Sequence, residues 1–125
     1  MANKTKKILI VEDEPFTIKL YTHRLEGEGY EVTATTQATE ALRLAKEKKP
    51  DLFIVDLMLE NGNGFDVIKK LRNTTGFKKT PIITLSNLGQ ETDVNNAIKN
   101  GANKYFVKSN TSFQKIIDTV KSFLD

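Results

Sequence analysis

The chain has 125 residues, of which 38% are hydrophobic and 28% are charged, and this length suffices for one domain with one core. It contains no cysteine, which excludes disulfide scaffolds, thiol chemistry and Cys-ligated zinc. No apolar run reaches transmembrane length and the basic N-terminus lacks a signal-peptide core, so we expect a cytoplasmic protein. The net charge of +3 comes from scattered basic residues, so direct nucleic-acid binding is not expected.

Short apolar runs and amphipathic segments alternate five times. The predicted strands are 8–11, 30–35, 51–55, 81–85 and 104–107. The predicted helices, with apolar residues at spacings of three and four, are 15–27, 38–48, 65–71, 94–101 and 113–124. In the first helix this pattern includes Phe16 and Leu20 beside a stripe of Ile18, Tyr21 and Leu25. The alternation predicts an α/β domain whose parallel sheet is covered by helices on both faces.

Polar residues follow four of the predicted strands at their carboxyl ends. Glu12 and Asp13 follow the first strand, Asp56 the third, Ser86 the fourth and Lys108 the fifth. The carboxyl ends of parallel strands share one edge of the sheet, and ligands of open α/β sheets bind there. These five residues are therefore expected to line one cleft.

Three crowded carboxylates repel one another, and a divalent cation relieves the repulsion. Oxygen-only ligation favours Mg²⁺, which is held by a few carboxylates and keeps several waters. With Mg²⁺ and Lys108, the formal charges of Glu12, Asp13 and Asp56 sum to zero. Such a site can accept a phosphoryl group on an Asp nucleophile, with the cation and the lysine stabilising the charge on its oxygens.

The whole chain, from about residue 6 to 124, resembles the receiver domain of two-component response regulators, including the single-domain chemotaxis type. The segments that carry the resemblance are ILIVEDE at 8–14, DLFIVDLM at 51–58, GF at 64–65, LS at 85–86, GA at 101–102 and YFVK at 105–108. The resemblance implies a flavodoxin-like, doubly wound (βα)5 fold, with a five-stranded parallel sheet of order 2-1-3-4-5.

The resemblance also implies roles for the acidic residues. It makes Asp56 the phospho-acceptor, phosphorylated by a histidine kinase. Asp13 and Asp56 would ligate Mg²⁺ together with the backbone carbonyl of Met58, and Glu12 would assist through a water molecule.

For the phosphoryl group, the resemblance implies a pairing with Lys108 and a contact from Ser86. Asn87, which follows Ser86, is a further candidate for contacting the phosphoryl group. Ser86 and Tyr105 would be the switch residues. They would reshape the surface of the fourth helix and fifth strand when the acceptor is phosphorylated. His23, the only histidine, is interpreted as a helix-surface residue without a role in phosphate transfer.

We further expect residues 1–125 to form a single receiver domain without an output domain, and the chain to be a switch rather than a turnover enzyme. Its partners would be a histidine kinase or phosphotransfer protein, and a downstream protein or separate output domain. Binding to a membrane is not expected. The chain would be a monomer or a phosphorylation-dependent dimer.

Some positions depart from the family pattern. Ser109 follows Lys108 where proline is usual, which makes a cis peptide there doubtful. Glu60 replaces a common proline and predicts a freer loop, and Asn87 replaces a small residue and predicts narrower access or an amide contact. Met58 and Leu88, each two residues beyond a site residue, are apolar and cannot orient an attacking water, which predicts slow self-dephosphorylation.

Three other functions compete with this interpretation. A flavodoxin-like carrier of a phosphorylated cofactor is disfavoured because Glu12-Asp13-Glu14 would repel its phosphate. A phosphatase with an Asp nucleophile would need an acid at Met58. A degenerate receiver that binds proteins without being phosphorylated is the remaining alternative, although all the core site residues are present.

Overall fold

The computed structural model describes residues 5–125, so the first four residues of the basic N-terminal segment lie outside the described part. The strands of the main sheet are β1 (Lys7–Val11), β2 (Glu31–Thr35), β3 (Leu52–Asp56), β4 (Ile82–Ser86) and β5 (Lys104–Val107). The α-helices are α1 (Pro15–Gly27), α2 (Ala38–Lys48), α3 (Gly64–Arg72), α4 (Glu91–Asn100) and α5 (Phe113–Leu124). Between β3 and α3, Met58–Leu59 and Gly62–Asn63 pair as a small antiparallel hairpin.

The five main strands form one parallel sheet of order β2-β1-β3-β4-β5. This confirms the predicted fold and strand order. β3 lies at the centre of the sheet, between β1 and β4, and all five of its residues are buried. The order places the ends of β1, β3 and β4 side by side.

Alternate strand residues build a separate core on each face of the sheet, since successive side chains point to opposite faces. On one face Leu9, Phe53 and Ile82 pack with residues of α2, α3 and α4. On the other face Ile10 and Ile54 pack with residues of α1 and α5. The two cores hold the sheet between helical layers, as the alternation predicts.

The apolar pattern of α1 is only partly used for packing. Tyr21 and Leu25 are buried, whereas Phe16 is 72% exposed and Leu20 is 42% exposed. Of the two neighbouring apolar stripes of the predicted helix, the one formed by Phe16 and Leu20 therefore stays largely exposed. Within the described part of the chain, no helix has the length and apolar character needed to cross a membrane.

Candidate functional site

The predicted acidic cluster forms at the carboxyl edge of the sheet. Carboxylate oxygens of Glu12, Asp13 and Asp56 all lie within 4.8 Å of one another. β1 and β3 are paired neighbours with Val11 opposite Val55, so the residues that follow them are brought together. Glu12 and Asp56 are buried, with 3% and 6% of their surface exposed, while Asp13 is half-buried.

Lys108 enters the cluster from the end of β5. Its Nζ lies 2.5 Å from Glu12 Oε1 and 3.0 Å from Asp56 Oδ2. One ammonium thus neutralises part of the charge of three carboxylates, and a formal charge of about −2 remains, which a divalent cation would balance.

Burial and charge change the protonation of this cluster. Burial, together with the neighbouring carboxylate of Asp56, raises the pKa of Glu12 from 4.5 to about 7, although Lys108 opposes the shift. Burial alone would lower the pKa of Lys108, but its hydrogen bonds to Glu12 and Asp56 outweigh burial and raise it. The lysine therefore remains charged while Glu12 titrates near neutral pH.

The carboxylate of Asp56 has a fixed orientation. Its Oδ1 accepts a hydrogen bond of 3.1 Å from the N–H of Met58, and its Oδ2 accepts the bond from Lys108. Gly64 lies directly against the backbone of Asp56, because a Cβ at this position would be 2.1 Å from the Asp56 carbonyl oxygen. The backbone N–H of Gly64 donates to Leu57 O at 3.0 Å, so α3 begins in contact with the end of β3.

The loop after β3 is ordered by the hairpin and by Asp13. The N–H of Glu60, which lies between the two hairpin strands, donates to Asp13 Oδ2 at 3.2 Å. A proline at this position could not donate this bond. Glu60 therefore supplies a contact between the loop and the acidic cluster, and the freer loop expected at Glu60 stays a prediction.

Ser86 and Tyr105 lie at the adjacent end of β4 and on β5. Ser86 is fully buried, and its Oγ accepts a 3.2 Å hydrogen bond from the N–H of Leu88. The Tyr105 hydroxyl donates to the Leu88 carbonyl at 2.5 Å. Both side chains thus act on the same residue of the loop that leads into α4.

Asn87 and Met58 contribute less to the cluster than the other predicted site residues. Asn87 is exposed, and among the described residues its side chain has no hydrogen bond to the acidic cluster. The Met58 side chain is 56% exposed, and the contact that the structure gives to Asp56 is through the Met58 N–H rather than its carbonyl.

Lys108 opens a 3-10 turn, Lys108–Asn110, instead of continuing into a proline-containing loop. The described residues contain no cis peptide, in agreement with the expectation drawn from Ser109. The hydroxyl of Thr111 donates to Val107 O at 2.8 Å across the turn.

Two contributions were not assigned from the sequence. Gly64 was noted only as part of the family pattern, and its close approach to Asp56 depends on where α3 meets β3. The Glu60 N–H is a backbone donor, so the identity of the side chain gives no signal for it.

Comparison with known proteins agrees with this geometry. The family model described as the response regulator receiver domain matches residues 8–121. The chain is 32% identical over 120 residues to the polar-differentiation response regulator DivK of Brucella ovis, covering 96% of this chain and 97% of that protein.

Solved structures of receiver domains superpose on nearly the whole chain. The Vibrio cholerae chemotaxis protein CheY4 superposes with a TM-score of 0.89 at 26% identity, covering 96% of this chain and 99% of that one. The BeF3-activated receiver domain of Klebsiella pneumoniae RstA superposes with a TM-score of 0.88 at 25% identity, covering 95% and 98% of the two chains. The chain belongs to the receiver-domain family of two-component response regulators.

Proposed function

We propose that Asp56 is the residue of this receiver domain that accepts a phosphoryl group. The observation that carries the proposal is the position of its carboxylate, which lies 3.0 Å from the Lys108 ammonium and within 4.8 Å of the carboxylates of Glu12 and Asp13. Glu12 is likewise bonded by a backbone N–H and by Lys108, but burial raises its pKa to about 7 and leaves it partly protonated near neutral pH. Asp56 is bonded by the N–H of Met58 and by Lys108 and ends the central strand β3. It is thus the carboxylate best prepared to act as a nucleophile.

The residues around Asp56 fit a divalent cation, and we propose Mg²⁺. The donor set consists of carboxylate oxygens within 4.8 Å of one another, with no sulfur or imidazole in the cluster, and such oxygen donors favour a hard cation. Asp13 and Asp56 would hold the ion with the Met58 carbonyl, and Glu12 would act through water. The bound ion would neutralise charge on the phosphoryl oxygens.

The protein contributes an oriented nucleophile and a fixed positive charge to the transfer. A carboxylate oxygen of Asp56 attacks phosphorus, the bond to the donor's leaving group breaks, and an acyl phosphate forms. The Lys108 ammonium, already 3.0 Å from Asp56, pairs with the phosphoryl oxygens as the charge builds up. Positioning and electrostatic stabilisation of this kind account for most of the catalysis of phosphoryl transfer.

The phosphodonor in the cell would be a histidine kinase or a phosphotransfer protein in the cytoplasm, and the output would be a change of protein partner. Ser86 and Tyr105 both form hydrogen bonds with Leu88, so a movement of Ser86 toward the phosphoryl group would shift the loop before α4. The resulting population shift would present a different surface to the partner.

The first experiment is an intact-mass measurement after incubation with Mg²⁺ and acetyl phosphate. We expect a gain of one phosphoryl group that requires Mg²⁺ and is absent in Asp56→Asn. A Glu60→Gln variant is the matched control, because it removes an exposed carboxylate but keeps the backbone N–H that bonds to Asp13. An adduct that persists in Asp56→Asn would contradict the assignment, and the absence of any adduct would support the degenerate-receiver alternative.

A further inference from the structure

The turn that carries Lys108 is held by contacts beyond its own backbone. The 3-10 turn Lys108–Asn110 is three residues long and contains no proline, so no pyrrolidine ring restricts its backbone φ angles. The Lys108 ammonium must nevertheless reach Glu12 and Asp56 at 2.5 and 3.0 Å. The Thr111 hydroxyl closes the turn by donating to Val107 O, but a contact with another element is still needed to fix the closed turn against the rest of the fold.

The first residue of α5 supplies that contact. The Phe113 ring stacks on the ring of Tyr21 in α1, with centroids 4.5 Å apart and an interplanar angle of 22°. On α1, the guanidinium carbon of Arg24 lies 4.9 Å from the centroid of Phe113. Arg24 also donates to the Gln114 side chain at 3.3 Å. The start of α5, three residues after the Lys108 turn ends at Asn110, is therefore attached to α1 by stacking, cation–π and hydrogen-bond contacts.

The same helix begins at the acidic loop. α1 starts at Pro15, directly after Glu12-Asp13-Glu14, and Tyr21 follows less than two turns later. The Tyr21 side chain is 7% exposed, so its ring cannot move freely. A rigid helix thus joins the loop that carries the carboxylates to the turn that carries the ammonium.

We propose that the stack of Tyr21 on Phe113 positions Lys108 for phosphoryl transfer by fixing the turn after β5 against α1. The inference deepens the proposed function and rests on it. Neither ring lies among the residues that hold the phosphoryl group or the metal, so both are positioning residues that act through Lys108.

A specific kinetic signature follows from this arrangement. Loss of the stack loosens the turn, and the ammonium then spends less time where charge develops on the phosphoryl group. Asp56 and Asp13 keep their bonds from the N–H groups of Met58 and Glu60, and Glu12 keeps its bond from the N–H of Glu14. We expect Phe113→Leu to slow phosphorylation by acetyl phosphate about tenfold, with unchanged affinity for Mg²⁺ in calorimetric titration.

Two matched variants separate positioning from general packing. Tyr21→Phe keeps both aromatic rings, so this variant should be phosphorylated at the wild-type rate. Phe77→Leu breaks the other aromatic pair of the described residues, Phe53 with Phe77 at 5.3 Å, which lies at the opposite end of the sheet. Because Phe77 is as buried as Tyr21, its replacement should lower stability without slowing phosphorylation.

The decisive test repeats the substitution in a Lys108→Ala background. If the stack acts through Lys108, Phe113→Leu should have no further effect on the residual rate there. Tyr21→Leu breaks the stack from the other side and serves in the same comparison if Phe113→Leu folds poorly. The inference would be overturned if Phe113→Leu slowed phosphorylation equally in the wild-type and Lys108→Ala backgrounds. It would also be overturned if Phe113→Leu and Tyr21→Leu were both phosphorylated at the wild-type rate. Absence of phosphorylation in the wild-type chain would instead overturn the proposed function.

Discussion

At the residue scale, the lifetime of the phosphoryl group depends on two apolar side chains. Met58 is 56% exposed beside Asp56, and Leu88 is half-buried at the start of the loop before α4. Neither side chain can accept a hydrogen bond strongly enough to orient a water for attack on phosphorus. The acyl phosphate is therefore expected to be long-lived.

This expectation is tested by supplying the missing polar groups. Met58→Asn combined with Leu88→Glu should speed hydrolysis of the phosphorylated protein by about tenfold, because an oriented water attacks faster. The decay is followed by intact mass after removal of acetyl phosphate. Ile98→Glu, which adds the same acid at an exposed position of α4, is the control, and an unchanged decay in the double variant would contradict the prediction.

Gly64 is the residue whose importance only the three-dimensional structure reveals. A Cβ there would lie 2.1 Å from Asp56 O and 2.5 Å from Leu57 Cα, and these are backbone atoms that cannot rotate away. Gly64→Ala should lower the free energy of unfolding by about 2–4 kcal/mol and slow phosphorylation, since it displaces Asp56.

The measurement is a urea unfolding curve together with the phosphorylation rate. Gly27→Ala is the matched control, because a Cβ at Gly27 meets no atom within 4 Å; it should raise stability by at most about 1 kcal/mol and leave the phosphorylation rate unchanged. A Gly64→Ala variant with wild-type stability would mean that the end of β3 and the start of α3 separate easily.

At the element scale, the sequence predicted the strands and their shared edge well. Buried parallel strands are short and continuously apolar, so β1 and β3 were visible as ILIV and LFIV, and the polar residue after each strand then marked the cleft. This reasoning placed Glu12, Asp56 and Lys108 together although 96 residues separate the first from the last. Topology, rather than local pattern, made this possible.

The faces of helices were harder to predict. In α1, Phe16 and Leu20 share a spacing of four just as Tyr21 and Leu25 do, and periodicity alone cannot tell which of two adjacent stripes meets the sheet. The direction in which the chain passes from β1 into α1 determines which stripe packs against the sheet, and it leaves Phe16 exposed to solvent. The Glu60 hydrogen bond was missed for a different reason, since the run Asn61-Gly62-Asn63-Gly64 predicts a turn but not which backbone N–H meets Asp13.

Arg72 joins three elements at the end of the sheet opposite the acidic cluster. Its guanidinium donates to Gly101 O, Phe77 O and Thr80 O at 2.7–3.1 Å. It also donates to Asn103 Oδ1 at 2.9 Å, and that oxygen accepts from Ile82 N at the start of β4. The end of α3 is thereby attached to the end of α4 and to β4.

Replacing this guanidinium should destabilise the protein strongly. Arg72→Leu should lower the free energy of unfolding by about 2–4 kcal/mol, because several partly buried carbonyls lose their donor. Arg72→Lys should recover only part of this loss, since an ammonium cannot match the planar fork. Urea unfolding measures both variants, and a loss below about 1 kcal/mol for Arg72→Leu would show that water replaces the donor.

At the scale of the whole molecule, the acidic cluster makes stability depend on pH. The pKa of Glu12 is raised to about 7 by burial, with the neighbouring Asp56 adding to the shift, whereas the unfolded chain has the ordinary value of 4.5. The folded state therefore retains a proton that the unfolded state releases between these values. By linkage, this stabilising contribution is complete below about pH 4.5 and is lost as the pH rises through about 7.

Glu12→Gln isolates this contribution, because the amide keeps the shape of the side chain but does not titrate. Without Mg²⁺, the wild type should lose stability relative to Glu12→Gln as the pH is raised from about 5 to about 8, and urea midpoints at several pH values measure the difference. Glu14→Gln, which removes an exposed carboxylate of the same loop, should run parallel to the wild type. If the difference in urea midpoint between the wild type and Glu12→Gln did not change with pH, Lys108 would keep Glu12 ionised over the whole pH range. All three carboxylates would then be charged before a cation binds.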